Sequence, residues 1–166
     1  MATIHFICGF MGFGKTTFSK RFAQEKKAKH FAIDAVIVER YGRDPQNFEE
    51  VYQKADDYIW AETKKCIQSG QDVILDYGFW NPEIREKAKE KALKLTDSII
   101  WHQLVCEMDI AKNRVLKRTS ENPQELYIDE NCFYDRLKRY HPITESEQLN
   151  VQYHYTGDCS KYKKCQ

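Results

Sequence analysis

The sequence predicts an α/β fold, in which a parallel sheet is covered by helices on both faces within a single domain spanning residues 1–166. Three observations lead there. Five short apolar runs alternate along the chain with longer amphipathic stretches. Those stretches are long enough to be crossover helices between parallel strands. The chain has 166 residues, 42% of them hydrophobic and 31% charged, enough for one packed core and too few for two ordinary domains.

The elements follow in order. The run 3–8 (TIHFIC) reads as the first strand; after a glycine-rich turn, a helix carries Phe18 and Phe22 at i, i+4 spacing. The run 30–33 (HFAI) is a second strand ending at Asp34, and 34–42 a short helix that Asp34 could cap. A long helix begins near Asn47, turns Phe48, Val51, Tyr52, Ala55 and Ile59 to one side, and is stopped by Gly70. The run 72–76 (DVILD) is the third strand. Asn81-Pro82 reads as an N-cap followed by proline at the first helical position, opening a helix that buries Ile84, Ala88, Ala92 and Leu95. The run 98–106 is the fourth strand, Asp109 caps a basic helix, a further helix carries Phe133, Leu137 and Tyr140, and 149–155 is the fifth strand.

Charge and composition exclude several classes of function. With 26 basic against 25 acidic residues the formal net charge is +1, which argues against a general nucleic-acid coat or a polybasic membrane binder. No apolar run approaches the ~20 residues of a membrane span. The N-terminus runs straight into the glycine-rich turn with no secretion signal, so the expectation is a soluble cytoplasmic protein without a membrane partner. The six cysteines (8, 66, 106, 132, 159 and 165) form no C-x-x-C pair and read as reduced thiols. The spacing of His154, Cys159 and Cys165 fits no zinc pattern.

The strongest signal is the segment from Gly9 to Thr16, GFMGFGKT, a full G-x-x-x-x-G-K-[ST] between an apolar strand and an amphipathic helix. With 7 Gly, 18 Lys and 14 Ser/Thr, a shuffled chain would contain about 0.003 such matches. Gly9, Gly12 and Gly14 allow backbone N–H groups to converge on phosphate, and with Phe13, Lys15, Thr16 and Thr17 they form the expected nucleotide cradle. Lys15 brings positive charge to the β- and γ-phosphates, and the Thr16 hydroxyl is placed for Mg²⁺. ATP or GTP binding follows.

The remaining candidates lie at strand ends and on one helix. Asp76 closes an apolar run that resembles a Walker B strand, and reads as a carboxylate for the magnesium site. Asp34, at the end of the second strand, is placed to take a proton from an attacking hydroxyl and to orient the acceptor. Arg114 and Arg118 share one helix face and suit a lid, about 114–128, that neutralises charge in the transition state. Arg85, one turn into the helix after Asp76, either touches an acceptor's anion or anchors the Asp76 loop. Tyr77, Phe79 and Trp80 form either an acceptor wall or packing. His5, His102 and His154 fall within strand patterns and read as core or edge residues.

On the P-loop, Asp34, the VILDYGFWNPEIR segment and the Arg114/Arg118 pair, the chain resembles the small P-loop kinases. That group contains chloramphenicol phosphotransferase, zeta toxin and AAA-class ATP-binding proteins of kinase type, with shikimate and gluconate kinases more distant. The resemblance implies a five-stranded sheet of order 2-3-1-4-5, an acceptor-binding helical region about 40–70 and a helical lid. It implies ATP and Mg²⁺ on Lys15 and Thr16, Asp34 as base, and Arg114 and Arg118 as lid arginines. Arg40 and Arg43 alone do not make the arginine set of an adenylate kinase. The absence of N-K-x-D and of an ABC signature disfavours a GTPase switch or a transporter ATPase.

The expected activity is therefore transfer of the γ-phosphoryl group of ATP to a hydroxyl of a small molecule. Two alternatives stand beside it. A polynucleotide 5′-hydroxyl kinase would need a basic path to Asp34, for which Arg40, Arg43 and Arg85 are the sparse candidates, so a nucleic-acid partner is not favoured. A module that holds ATP without transferring it would need no acceptor-side carboxylate.

Overall fold

The structure, a computed structural model, describes residues 1–42, 45–122 and 128–158. Arg43, Cys159, Cys165 and part of the expected lid lie outside the described residues. Five strands, β1 (Ile4–Cys8), β2 (Lys29–Ala32), β3 (Val73–Gly78), β4 (Ile99–Val105) and β5 (Val151–Tyr155), form one sheet of order β2-β3-β1-β4-β5. Every neighbouring pair runs parallel. The expected class and strand order are thus the observed ones. The helices are α1 (Lys15–Lys26), α2 (Ile33–Tyr41), α3 (Phe48–Gln68), α4 (Pro82–Leu93), α5 (Met108–Glu121) and α6 (Glu130–Leu137). No helix among the described residues is long and apolar enough to cross a membrane.

Alternation along the buried strands divides the core in two. Ile4, Phe6, Val73, Leu75 and Trp101 pack with residues of α2, α3 and α4, including Ile37, Ala55, Ile59, Ala88 and Ala92. On the other face Ile7, Ile74 and Leu104 pack with Phe18 of α1, Ala111 and Val115 of α5, and Phe133 of α6. Asp76 belongs to this second, α1-facing set by its register with Ile7.

Several boundaries differ from the sequence reading. Ile33 begins α2 directly after β2, so Ala32 is the N-cap and Asp34 lies in the first helical turn without capping it. β3 runs on to Gly78, because an irregularity between Ile7 and Cys8 lets Cys8 pair with Gly78 and skips Tyr77. In α4 the Asn81 side chain accepts from the Ile84 amide at 2.9 Å, as a cap should. That phase leaves Ile84 41% exposed and turns Arg85 inward, at 1% exposure. The helix N-cap before α5 is Glu107, with Asp109 one residue inside the helix.

Three strand histidines, His5, His102 and His154, form a ladder beneath α1. His5 Nδ1 lies 2.9 Å from His102 Nε2, and His102 Nδ1 lies 2.9 Å from His154 Nε2. Phe18 and Phe22 of α1 cover the rings. His5 and His102 are buried, at 4% and 1% exposure, and His154 is half-buried. Burial holds His5 down at about 4 and His102 at about 3, and lowers His154 as well.

Candidate active site

The loop from Gly9 to Gly14 links the central strand β1 to α1, at the carboxyl end of the sheet where ligands bind in open α/β folds. Gly9, Gly12 and Gly14 all have positive φ. Gly12 shows why one of them must be glycine: a Cβ there would sit 2.4 Å from the Ala111 carbonyl oxygen of α5. The Phe10 and Phe13 side chains point away from solvent into an aromatic cluster with Trp80, Phe133 and Tyr140. Thr16 and Thr17 are exposed in the first turn of α1.

Lys15 donates to the Phe10 carbonyl at 3.1 Å. Burial lowers its pKa, the charges of Asp76 and Asp34 oppose that fall, and Arg118 adds to it. Asp76 is 7% exposed, and its Oδ2 accepts from Ser19 Oγ at 3.1 Å. Asp34 keeps a solvent-exposed side. Burial of its carboxyl raises the pKa, Lys15 lowers it, Asp76 raises it again, and Arg136 and Arg118 lower it. The fold thus gathers Lys15, Asp34, Asp76, Arg118 and Arg136 at one end of the sheet, close enough for their charges to act on one another. Two carboxylates, one on a buried residue hydrogen-bonded to α1 and one on an exposed residue of α2, act electrostatically on a single ammonium.

Arg114 and Arg85 sit differently. Arg114 of α5 donates to the Gly12 carbonyl at 3.2 Å and to the Thr156 carbonyl at 2.6 Å. Thr156, just past β5, donates from Oγ1 to the Phe13 carbonyl at 2.7 Å. Together these clasp the outer side of the loop. Arg85 makes a bidentate pair with Glu147, both contacts at 2.7 Å, and donates to the carbonyls of Phe79 at 2.8 Å and His141 at 2.9 Å. Four of its five donors are held by protein groups, so its contacts are those of an anchor for the segment after β3. Tyr77 and Phe79 stack at 5.2 Å, with Phe79 in the core.

Ser19, Arg136, Glu147 and Thr156 are absent from the sequence reading. Ser19 was findable, since it lies one helical turn after Lys15 on the face that looks back at the loop. Arg136 gave no signal of its own, because Asp135, Lys138 and Arg139 beside it make it one of several charges on an amphipathic helix. Glu147 and Thr156 gave no signal, because their partners are 62 and 143 residues away in the chain.

Asp76, Asp34 and the Thr16 hydroxyl offer oxygen, the donor type that hard cations such as Mg²⁺ take. No cluster of three or more His, Cys, Asp or Glu able to hold a metal occurs among the described residues. Such a set fits a cation held by one or two protein oxygens and completed by water and phosphate.

Comparison with known proteins agrees with this construction. A family model for the AAA domain matches residues 4–143. A shikimate kinase of Vibrio parahaemolyticus is 24% identical over 159 residues, covering 88% of this chain and 89% of that protein. A Chloroflexus aurantiacus protein classed with kinases superposes with a TM-score of 0.73 at 17% identity, over 94% of this chain and 85% of that one. Kti12 of Chaetomium thermophilum, solved with ADP-AlF3, superposes with a TM-score of 0.67 at 12% identity, over 93% of this chain and 89% of that one. From loop, sheet order and family match together, the chain belongs to the AAA domain family and is built as a small P-loop kinase.

Proposed function

We propose that this chain transfers the γ-phosphoryl group of ATP to a hydroxyl group of a small molecule. The observation that carries the proposal is a pair of unlike carboxylates whose charges act on Lys15: Asp76, a buried residue hydrogen-bonded to Ser19 of α1, and Asp34, an exposed residue in the first turn of α2 whose carboxyl is partly desolvated. A nucleotide-holding module needs the first and has no use for the second. The relation to shikimate kinases supports a small-molecule acceptor.

In this reading the Gly9–Thr17 segment and Lys15 hold the triphosphate, and the helix N-terminus adds a favourable field. Thr16 and Asp76 would hold Mg²⁺, which neutralises charge on the phosphate oxygens when bound. The acceptor oxygen bonds to the γ-phosphorus while the bond from that phosphorus to the β,γ-bridging oxygen breaks. Asp34 takes the hydroxyl proton, and ADP leaves. A carboxylate whose pKa is raised is the better base for this step. Arg118 and Arg136 bring positive charge to the acceptor side, where the phosphoryl group passes. Arg114 acts through the loop carbonyl it holds. A cytoplasmic location fits the free thiols of Cys8, Cys66, Cys106 and Cys132.

A polynucleotide acceptor is less well supported, because Arg40, a cation such a path would use, lies 3.5 Å over the Tyr58 ring. Mass spectrometry of a metabolite extract incubated with protein, ATP and Mg²⁺ tests the proposal, with Asp34→Asn as control. We expect a species gaining one phosphoryl group with the unaltered protein alone, and nucleotide affinity of the variant within about threefold. Equal turnover by both proteins would refute the role of Asp34.

A further inference from the structure

One buried ring nitrogen beside this site is left without a partner. His30 lies on the edge strand β2, opposite Ile74 and two residues before the level of Asp76. Its Nε2 is buried and has no hydrogen-bond partner. The nearby acceptor is Asp76 Oδ2, at 3.8 Å. That same oxygen is incompletely satisfied. Ser19 has one hydroxyl proton and offers it to two acceptors, the Lys15 carbonyl at 2.7 Å and Asp76 Oδ2 at 3.1 Å, so the carbonyl takes the larger share. The Lys15 ammonium donates to the Phe10 carbonyl. A buried carboxylate oxygen thus lacks a full donor, and a buried ring nitrogen beside it lacks a partner.

We infer that His30 is a positioning residue for Asp76, donating from Nε2–H to Oδ2 and fixing the rotation of the carboxylate so that Oδ1 is presented to the loop. Closing the contact to an ordinary length needs a movement of under about 1 Å, within the reach of a small χ rotation. Ser19 then supports Oδ2 from α1 and His30 supports it from β2, on either side of the same atom. Hydrogen bonds that orient a cation-binding carboxylate are part of what sets cation affinity. This inference rests on the proposed reading of Asp76 as the carboxylate on the Mg²⁺ side.

The test compares His30→Leu, which removes the donor, with His30→Gln, whose amide nitrogen reaches nearly the place of Nε2. Binding of a fluorescent ATP analogue is titrated with Mg²⁺ and repeated in EDTA. His30→Leu is expected to raise the Mg²⁺ concentration needed for half-maximal tightening by about tenfold, with EDTA affinity within about twofold, and His30→Gln to restore it. An unchanged Mg²⁺ midpoint in His30→Leu, or an equal loss in His30→Gln, overturns the inference. Two-bond ¹H–¹⁵N NMR of the unaltered protein gives a second reading that needs no variant: His30 must be the Nε2–H tautomer, and an Nδ1–H tautomer overturns the contact. Asp76→Asn separates the two levels. If it leaves the Mg²⁺ midpoint where it was, the reading of Asp76 fails; if it shifts the midpoint and His30→Leu does not, the inference about His30 fails.

Discussion

Lowering the pH from 7 to 5 imposes a proton load on the histidine ladder that the folded protein cannot accept. His5 and His102 are held at about 4 and about 3, chiefly by burial, against an ordinary value of 6.5. Asp72 works against that fall at His5, while Lys26 adds to it at both rings, and Arg21 adds to the fall at His154. Because the folded values are depressed, the unfolded chain binds more protons as the pH falls below 6.5. Stability is therefore fully present above that point and is lost progressively toward about 4. At pH 5 each of the two buried rings forgoes about 2 kcal/mol of protonation free energy. Water at the half-buried His154 end screens part of this, so the expected loss between pH 7 and 5 is about 2–4 kcal/mol. Asp34 works in the opposite sense, since a raised carboxyl favours the folded state as the pH falls, and Glu147, lowered, adds to the loss only nearer its ordinary 4.5. Urea unfolding followed by circular dichroism at pH 8, 7, 6 and 5 reads the effect in the midpoint at constant m. In His102→Leu the slope should fall by about 1.4 kcal/mol per pH unit, one proton's worth. A stability that changes by less than about 0.5 kcal/mol over this range, or a slope unaltered in His102→Leu, would refute the reasoning.

Two further outcomes follow from the loop. Gly12→Ala combines a Cβ 2.4 Å from the Ala111 oxygen with a φ of 78°; we expect a loss of about 2–4 kcal/mol in chemical denaturation and nucleotide Kd raised at least about tenfold. Arg114→Ala frees the Gly12 and Thr156 carbonyls from their shared guanidinium and should raise nucleotide Kd by about three- to tenfold in calorimetry, with far-UV circular dichroism unchanged. An affinity left intact would show that the clasp does not shape the loop.

How much of this could be read from the sequence depends on how far apart the interacting residues lie. The strands were legible because each contains a short apolar run, buried throughout in β1 and almost so in β3 and alternating in sequence in β5, and the loop because glycine, lysine and threonine at fixed spacing have a local reason to be there. The family resemblance supplied the strand order, which periodicity alone does not contain. The inward face of α4 was misread for a physical reason: periodicity places the larger apolar residue inside, so Ile84 was chosen over Arg85. Tertiary partners reversed that choice, since Glu147 and two carbonyls satisfy a guanidinium inside the fold. Asp34 was read as following the second strand, and its place in the first turn of α2 depended on that strand stopping one residue early. Arg118 was named from its spacing with Arg114, whereas Arg136 joins it only once α5 and α6 have been brought to one sheet end. The histidines, expected to be core or edge residues, gave no hint of their N–H···N contacts, because a diagonal across three strands has no signature in any one of them.

The Arg85–Glu147 pair has a consequence for how this chain can change over time. Arg85 is 1% exposed, so replacing Glu147 alone leaves a buried guanidinium unpaired at a cost of about 3–5 kcal/mol and replacing Arg85 alone leaves a half-buried carboxylate without its partner, whereas replacing both with well-packed apolar residues removes the two charges together and leaves only the Phe79 and His141 carbonyls to be satisfied. The two positions, 62 residues apart, are therefore separated from their apolar alternative by a fitness valley that single substitutions must cross. They should be inherited as one character, and a library varying both codons together should recover charged pairs and apolar pairs while mixed combinations are depleted.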